Sequence, residues 1–345
     1  MNSKLKVGLY GQYGHQIFGK LYNNPEAELA AVCAMSEELI TVIRNNCSQD
    51  IKVYGTLEEM LQDDSIELIS LCSPKRCDQE ADAIACLRAG KHVYAEKPAV
   101  FSDAGIERVL AVAKETGYEF HEMADSVFVE PYWSARKIVR SGKLGKIVQV
   151  YVQKSYPLNI HKRPQDEDTD GGLIRQAGIH AIRFLEHITG LTVAKVDVRQ
   201  THLGNVKENE GLFTASSWMM TLENGGVASA CINYLNPKGF PRHGNECVRI
   251  WGTEGMLEIV DGATRTHIYT QTEDEGEIDT SKSDCQDFFQ ELVHHLLYGS
   301  EMPLTQEEEL HPLRVVIRAF EAAVGSDNYI GGMINEKEIC NGRSI

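Results

Sequence analysis

The sequence predicts an α/β protein: a doubly wound parallel sheet followed by an α+β domain with an open, mainly antiparallel sheet. Over the first 125 of 345 residues, short apolar runs alternate with segments of helical spacing, as in parallel βαβ units. After residue 125, alternating apolar and polar residues dominate, as in antiparallel strands with one solvated face. We therefore expect domains at 1–125 and 126–325, and a tail at 326–345.

In the first domain, strands and helices follow one another in strict alternation. Thr56 and Ser102 each precede a helical segment and can accept a hydrogen bond from its first turn. Gly90 and Gly117 follow helical segments, where glycine ends helices most readily. The predicted strands are 5–10, 28–34, 52–54, 66–72 and 92–95, and the predicted helices are 14–23, 36–47, 57–61, 78–89 and 102–114.

In the second domain, strands predominate and helices interrupt them. The predicted helices are 131–141, 173–188, 284–298 and 305–324. The predicted strands are 147–153, 193–201, 212–222, 226–234, 248–251, 256–260 and 265–269.

Composition excludes several classes of function. The chain has 34 basic and 50 acidic residues, so its net charge of −16 disfavours nucleic acid or a membrane as partner. Nine cysteines without C-x-x-C spacing predict buried thiols, and neither a metal site nor a disulfide framework. The N-terminus leads directly into a strand-like run with no signal peptide, so we expect a cytoplasmic protein.

The turn after the first strand is a candidate phosphate-binding loop. Residues 7–16 read Val-Gly-Leu-Tyr-Gly-Gln-Tyr-Gly-His-Gln, which partly matches the dinucleotide fingerprint G-x-G-x-x-G. Gly11 is the first glycine, whereas Tyr13 and Gln16 occupy the second and third positions. Gly14 could provide the close approach if the loop shifts by one residue. The expected cofactor-binding residues are Gly11, Gln12, Tyr13, Gly14 and His15; a glycine-rich turn that binds no nucleotide is an equally good interpretation.

The end of the second strand bears on the choice of cofactor. NAD-binding proteins place an acidic residue there for the ribose, but Ala34 occupies that position. Ser36, Glu37 or Glu38 could reach the ribose, or could simply form the first turn of the next helix. No arginine or lysine occurs between the end of this strand and Arg44, so NAD is favoured over NADP.

Glu96, Lys97 and Pro98 follow the fifth predicted strand, at the edge where parallel sheets bind ligands. A buried lysine there can exchange a proton with a substrate oxygen. A Lys-Pro peptide bond can also be cis. For these three residues alone, a surface loop lysine is the simpler interpretation.

A wider pattern around Lys97 resembles a known family. Residues 90–93, Gly-Lys-His-Val, together with Glu96-Lys97-Pro98, resemble the G-K-H-V-x-x-E-K-P signature of the glucose–fructose oxidoreductase, inositol dehydrogenase and rhizopine catabolism (Gfo/Idh/MocA) family. The resemblance extends over 6–321 and includes Ser73-Pro74 and the stretches 141–147 and 250–255. It implies a Rossmann domain, a second domain whose open sheet forms a homodimer or homotetramer, and NAD(P)-dependent chemistry on sugars, cyclitols or related alcohols.

The resemblance also implies site residues. Residues 171–180 are similar to the family motif G-G-x-x-x-D-x-G-x-H, with His180 matching and Gln176 in place of the aspartate. His180 would then be the proton-transfer partner of Lys97, and Gln176 would orient the substrate without titrating. Glu96 would position Lys97 or the nicotinamide ribose, and Ser73 and Pro74 would adjoin the cofactor.

The loop 156–170 would overhang this site. Its basic residues His161, Lys162 and Arg163 could bind a substrate carboxylate or phosphate, or could be solvated. Asp78 and Arg183 depart from the family pattern, which more often has His and Asp at these positions.

Three hypotheses follow. The first is an NAD(P)-dependent oxidoreductase that acts on a polyhydroxylated small molecule such as a sugar, sugar derivative or cyclitol. The second is a ligand-binding or sensor protein that has lost redox activity. The third is a hydrolase or lyase that retains tightly bound NAD.

Overall fold

The first part of the chain forms a parallel sheet. The computed structural model describes residues 4–47, 49–159, 163–205 and 211–325. Within these ranges the first strands are β1 (Leu5–Tyr10), β2 (Ala27–Cys33), β3 (Lys52–Tyr54), β4 (Leu68–Leu71), β5 (His92–Ala95) and β6 (Phe120–Glu122). They pair in parallel in the order β3-β2-β1-β4-β5-β6. This confirms the doubly wound sheet and adds β6, which the sequence prediction does not include.

The helices between these strands begin largely where the capping residues predict. They are α1 (Phe18–Leu21), α2 (Glu37–Asn46), α3 (Leu57–Leu61), α4 (Gln79–Arg88) and α5 (Asp103–Thr116). Thr56 and Ser102 accept hydrogen bonds from the first turns of α3 and α5, and Gly117 ends α5 with a left-handed φ of 75°. The prediction of a helix over 14–23 is wrong in extent: only four residues are helical, because the preceding loop is held in another conformation by Gln16.

The second sheet is mixed but mainly antiparallel, as predicted. Its strands are β7 (Ile147–Ser155), β8 (Val193–Thr201), β9 (Ala215–Leu222), β10 (Val227–Asn233), β11 (Cys247–Gly252), β12 (Gly255–Val260), β13 (Arg265–Thr270) and β14 (Asp274–Gly276). Their order is β14-β13-β12-β11-β7-β10-β9-β8, with β7 and β10 parallel and the other pairs antiparallel. The short β14 was not predicted.

The remaining helices are α6 (Tyr132–Arg140), α7 (Glu167–Asp170), α8 (Gly178–Thr189), α9 (Phe288–Tyr298) and α10 (Gln306–Gly325). The helix predicted over 173–188 is two segments, because a π-helical turn (Leu173–Ala177) precedes α8. Gly178 lies where they meet, and a Cβ there would fall 2.8 Å from the Trp218 ring, so close packing on the sheet requires glycine.

Helices α8 and α10 pack on one face of the second sheet, whereas α9 returns to the first domain. Phe289 of α9 lies 5.5 Å from the buried Tyr94 ring of β5, measured between ring centroids. Lys20, beside the phosphate loop, contacts Asp287 at the start of α9. The later part of the chain therefore helps to support the first sheet and the loops at its edge.

The described ranges contain no disulfide bond, no cluster suited to a metal ion and no helix that could cross a membrane. Every cysteine in them is a free thiol, with Cys33, Cys72 and Cys86 buried and Cys77 exposed. His, Cys, Asp and Glu side chains of the residues placed by the structure form no group of three or more suited to a metal ion. Among the helices described above, none is long and apolar enough to cross a membrane.

Candidate active site

A cleft of about 340 Å³ opens at the carboxyl edge of the parallel sheet, within the size range of small-molecule sites. Its walls come from the loops after β1, β4 and β5, from β7 and its following loop, and from the start of α8. Seven of the residues singled out from the sequence meet there: Tyr13, Gly14, His15, Lys97, Arg163, Gln176 and His180.

Lys97 lies at the base of the cleft and is only 3% exposed. Its Nζ donates a hydrogen bond to the main-chain carbonyl oxygen of Gln176 at 2.9 Å and lies 3.7 Å from a Glu96 carboxylate oxygen. The Lys97-Pro98 peptide bond is cis. Burial lowers the pKa of Lys97 to about 8, with neighbouring arginines adding to the effect and Glu96 opposing it. Both protonation states are therefore accessible near neutral pH, as acid–base catalysis requires.

Glu96 is fully buried and joins the phosphate loop to the lysine. Its carboxylate accepts a 2.6 Å hydrogen bond from the His15 amide and lies 3.0 Å from the His15 Nδ1. Burial alone would raise its pKa, but His15 and Lys97 hold that pKa well below the usual range, so Glu96 stays ionised. Gly14 has a φ of 93°, and a Cβ there would fall 2.6 Å from the Glu96 Cδ, so the carboxylate requires a glycine at this position.

His180 lies in the first turn of α8. The Ser126 hydroxyl is 2.9 Å from its Nδ1, which leaves Nε2 as the ring nitrogen available to a ligand. Burial lowers the pKa of His180 well below its ordinary value, and the positive charge of Lys97 adds to this effect. Its ring meets the His15 ring edge-on, with centroids 5.9 Å apart. The imidazole is therefore neutral near pH 7, suited to hydrogen bonding a substrate oxygen.

Arg163 lines the cleft, but its donors are engaged within the protein. The guanidinium makes two hydrogen bonds to Asp170, at 2.6 and 2.9 Å, and one to the Tyr156 hydroxyl at 3.0 Å. It also donates to the side-chain oxygen of Gln176. Arg163 thereby orients the Gln176 amide, whose NH₂ group remains available to a substrate oxygen. The other two basic residues predicted here, His161 and Lys162, lie outside the described residues.

The phosphate loop keeps the first glycine and replaces the third. Gly11 has a φ of 75°, and a Cβ there would fall 1.7 Å from the Cys72 carbonyl oxygen. The Gln16 side chain donates to the Gly11 and Ser70 carbonyls and accepts from the Ser70 hydroxyl at 2.6 Å. It therefore ties the loop to β4. The Tyr13 side chain is 46% exposed, and Tyr13 is one of the residues that line the cleft. Tyr13, Gly14 and His15 line the cleft, so this loop borders the space in which a dinucleotide phosphate would lie.

Other predicted residues lie away from the cleft lining. Gln12 accepts a hydrogen bond from the Ser36 amide, and Ser36 itself caps α2. Ser73 is buried and donates to Asp82 at 2.6 Å, and Pro74 follows it outside the lining. These residues support the loops that border the cleft.

Two charged residues that depart from the family pattern also lie outside the cleft. Asp78 is exposed at the start of α4. Arg183 is buried, where it contacts Glu122 and donates to the Met123 carbonyl.

Sequence reasoning missed three residues at the site: Arg76 and Lys154, which line the cleft, and Ser126, which contacts His180. Arg76 follows Ser73-Pro74 by two residues, and Lys154 is the second-last residue of β7. A search for charged residues at strand ends would have found both. Ser126 lies in an irregular turn and carries no sequence signal for its contact.

Comparison with known proteins agrees with this architecture. Residues 5–123 match the model of an oxidoreductase family with an NAD-binding Rossmann fold, and residues 132–258 match the GFO/IDH/MocA C-terminal domain. The chain belongs to the GFO/IDH/MocA oxidoreductase family. This membership confirms the family resemblance and identifies the protein as an NAD(P)-dependent dehydrogenase.

Three distant relatives align with more than nine-tenths of this chain. The scyllo-inositol 2-dehydrogenase (NADP(+)) IolW of Bacillus subtilis (strain 168) is 23% identical over 92% of this chain and 94% of its own. A Thermotoga maritima protein of known structure superposes with a TM-score of 0.83 and 24% identity, covering 93% of this chain and 99% of that one. An aldose-aldose oxidoreductase of Caulobacter crescentus has a TM-score of 0.78 and 19% identity, covering 94% and 98%.

Proposed function

We propose that the protein transfers a hydride between a nicotinamide and a hydroxyl-bearing carbon of a cyclitol, sugar or sugar derivative. The observation that carries this proposal is the buried Lys97, whose pKa is lowered to about 8, beside His180 and the phosphate loop in one cleft. Family membership supports the redox chemistry. The names of the Bacillus inositol dehydrogenase and the Caulobacter aldose enzyme support a polyhydroxylated substrate.

The roles of the residues follow from their contacts. The nicotinamide, when bound, supplies the hydride chemistry. Lys97 exchanges a proton with the substrate oxygen, and the neutral His180 hydrogen-bonds that oxygen through Nε2. The Gln176 amide binds a neighbouring hydroxyl, in an orientation fixed by Arg163. Glu96 positions Lys97 through their 3.7 Å contact and positions the phosphate loop through its hydrogen bond from the His15 amide.

Binding and turnover measurements test this function together. Purified protein is titrated with NADH and NADPH while nucleotide fluorescence is followed, and is then assayed for NAD(P)H formation with inositols, aldoses and their acids. We expect micromolar nucleotide binding and turnover of at least one polyol class. Failure to bind either nucleotide, with none copurified, would contradict the proposal; binding without polyol turnover would contradict the substrate class alone.

We further propose NAD as the preferred nucleotide. At the end of β2, where the ribose of a bound dinucleotide lies in this fold, the chain offers Ser36 and the first-turn carboxylates Glu37 and Glu38. A carboxylate binds the ribose hydroxyls of NAD and repels the 2′-phosphate of NADP. We expect NADH to bind more tightly than NADPH, and Ser36→Arg to reduce that difference. Tighter binding of NADPH by the unmodified protein would overturn the preference.

We also propose that the open face of the second sheet forms a homo-oligomer. On that face, Val227, Gln149, Trp251, Met256 and Tyr269 are aligned across five strands by the strand register. Val227 and Tyr269 are 48% and 37% exposed, which makes this an accessible, partly apolar row. Light scattering after size exclusion should give a dimer or tetramer, and Val227→Glu should shift it toward monomer. A monomer at all concentrations would refute the assignment.

A further inference from the structure

Arg76 lies in a helical turn after β4, on one side of the crevice between β1 and β4 where the strand order reverses. Its side chain is 2% exposed and lines the cleft. One terminal nitrogen donates to the Gln79 side-chain oxygen at 2.6 Å, and the other lies 3.5 Å from the Tyr13 carbonyl oxygen. The buried Nε has no hydrogen-bond partner among the residues that the structure describes.

This guanidinium also lacks a close ion pair, unlike two other arginines of the site; the Glu96 carboxylate interacts with it only at longer range. Arg163 pairs with Asp170, and Arg183 pairs with Glu122. Within the described ranges, no carboxylate oxygen lies within 4.0 Å of the Arg76 guanidinium nitrogens. A buried charge without a partner is unfavourable unless a ligand supplies the opposite charge. The Arg76 guanidinium therefore has the charge and the donors that suit an anion in the cleft.

The location of Arg76 indicates which anion it binds. In doubly wound sheets a dinucleotide crosses the crevice where the strand order reverses, and its diphosphate usually rests on the glycine loop and the N-terminus of the following helix. Here that helix, α1, has only four residues, and Tyr13 replaces the second glycine. The usual sources of positive potential are thus reduced on the β1 side of the crevice.

We propose that Arg76 binds the diphosphate of the dinucleotide from the β4 side and compensates for the altered phosphate loop. A guanidinium is suited to this task, because its donors match two phosphate oxygens at once. The inference rests on the proposed function only in requiring that NAD(P) binds. Part of the affinity for the cofactor would then come from the loop after β4, which lies outside the G-x-G-x-x-G fingerprint.

Nucleotide titrations of matched variants test the assignment without an activity assay. NADH, ADP-ribose and adenosine are titrated calorimetrically into the unmodified protein and into Arg76→Met, Arg76→Lys and Arg88→Met. Arg88 is exposed at the end of the adjoining helix α4, so its variant makes the same charge change outside the cleft. Arg76→Met should weaken NADH and ADP-ribose about ten- to a hundredfold. Adenosine, which has no phosphate, should bind as before.

The other variants give graded expectations. Arg76→Lys should retain part of the affinity, and Arg88→Met all of it. The Kd of Arg76→Met should also depend less on salt concentration than that of the unmodified protein. A melting curve without ligand separates binding from structure. Arg76→Met loses the hydrogen bond to Gln79 but also removes a buried charge without a close ion pair, so we expect Tm to change little.

The opposing outcomes are distinct. If Arg76→Met binds NADH and ADP-ribose as tightly as the unmodified protein does, the proposal is overturned. A lower Tm without ligand, with affinities unchanged in both Arg76→Lys and Arg76→Met, would show a purely structural residue. If the unmodified protein binds no nucleotide, the proposed function fails first, and this inference fails with it.

Discussion

The phosphate loop and the Glu96–Pro98 corner lie at the same edge of one sheet, but they depart from the family pattern to different degrees. In the loop, two of the three fingerprint glycines are replaced, and the side chain of one replacement, Gln16, hydrogen-bonds to Gly11 and to Ser70 of β4. In the corner, the family signature is intact and Lys97 is buried beside Glu96. A phosphate can be held by several alternative donors, whereas proton transfer needs one titratable atom in one place.

The sharpest test of this contrast is Lys97→Met. Because the substrate oxygen then has no group with which to exchange its proton, we expect turnover to fall about 10²- to 10⁴-fold, with the Kd for NADH little changed. Steady-state kinetics and NADH titration measure the two quantities. The matched control is Lys114→Met, an exposed lysine in the last turn of α5, which should retain full activity. Full activity in the Lys97 variant would remove the proposed mechanism.

The pH dependence identifies the titrating group. Polyol oxidation needs the neutral amine of Lys97, so kcat/KM should rise with pH through about 8 and level off above it. Carbonyl reduction needs the ammonium, so its rate should fall over the same interval. Gln176→Glu places a negative charge near Lys97 and should move both inflections up by about one pH unit, whereas Gln176→Asn should not move them. A profile without these inflections would exclude Lys97 as the proton carrier.

The loop should respond less to substitution than the corner. Gln16→Ala removes the side chain that ties the loop to β4 and leaves the Ser70 hydroxyl without that acceptor. We expect a loss of about 1–3 kcal/mol in the free energy of unfolding, with NADH bound only a few-fold more weakly. Denaturant unfolding and titration measure these effects, with Gln49→Ala on the surface as control. A complete loss of NADH binding in a folded variant would show that the loop tolerates less change than we infer.

The smallest effect is expected from restoring the fingerprint. Tyr13→Gly removes a side chain that is 46% exposed and lets the loop backbone approach a phosphate more closely. The greater flexibility of glycine cancels only part of this gain in affinity, so we expect NADH to bind about two- to fivefold more tightly. Tyr22→Gly, with a side chain that is 54% exposed, controls for the flexibility. Weaker binding in the Tyr13 variant would mean that the tyrosine itself contacts the nucleotide.

Most of the fold could be predicted because it depends on local periodicity and capping. The strands over Lys52–Tyr54 and His92–Ala95 have the predicted bounds, and Ser102 begins α5 where expected. The exceptions are short or irregular. The helix before Phe18 does not form because Gln16 bonds to β4, which lies 54 residues away along the chain. The π-helical turn before α8 accompanies the packing of Gly178 against Trp218, which periodicity does not report.

The sequence by itself determined the two-sheet architecture, the family, and Lys97 and His180 as the candidates for proton transfer, because motifs and periodicity are encoded over short spans. Only the tertiary structure decided how those residues are supported. It joins His15 to Glu96 across 81 residues and places Arg76, which has no close ion pair among the described residues, beside the Tyr13 loop. It also engages Arg163 with Asp170. Burial and counter-ions set the charge states at this site, and both depend on which distant segments the fold brings together.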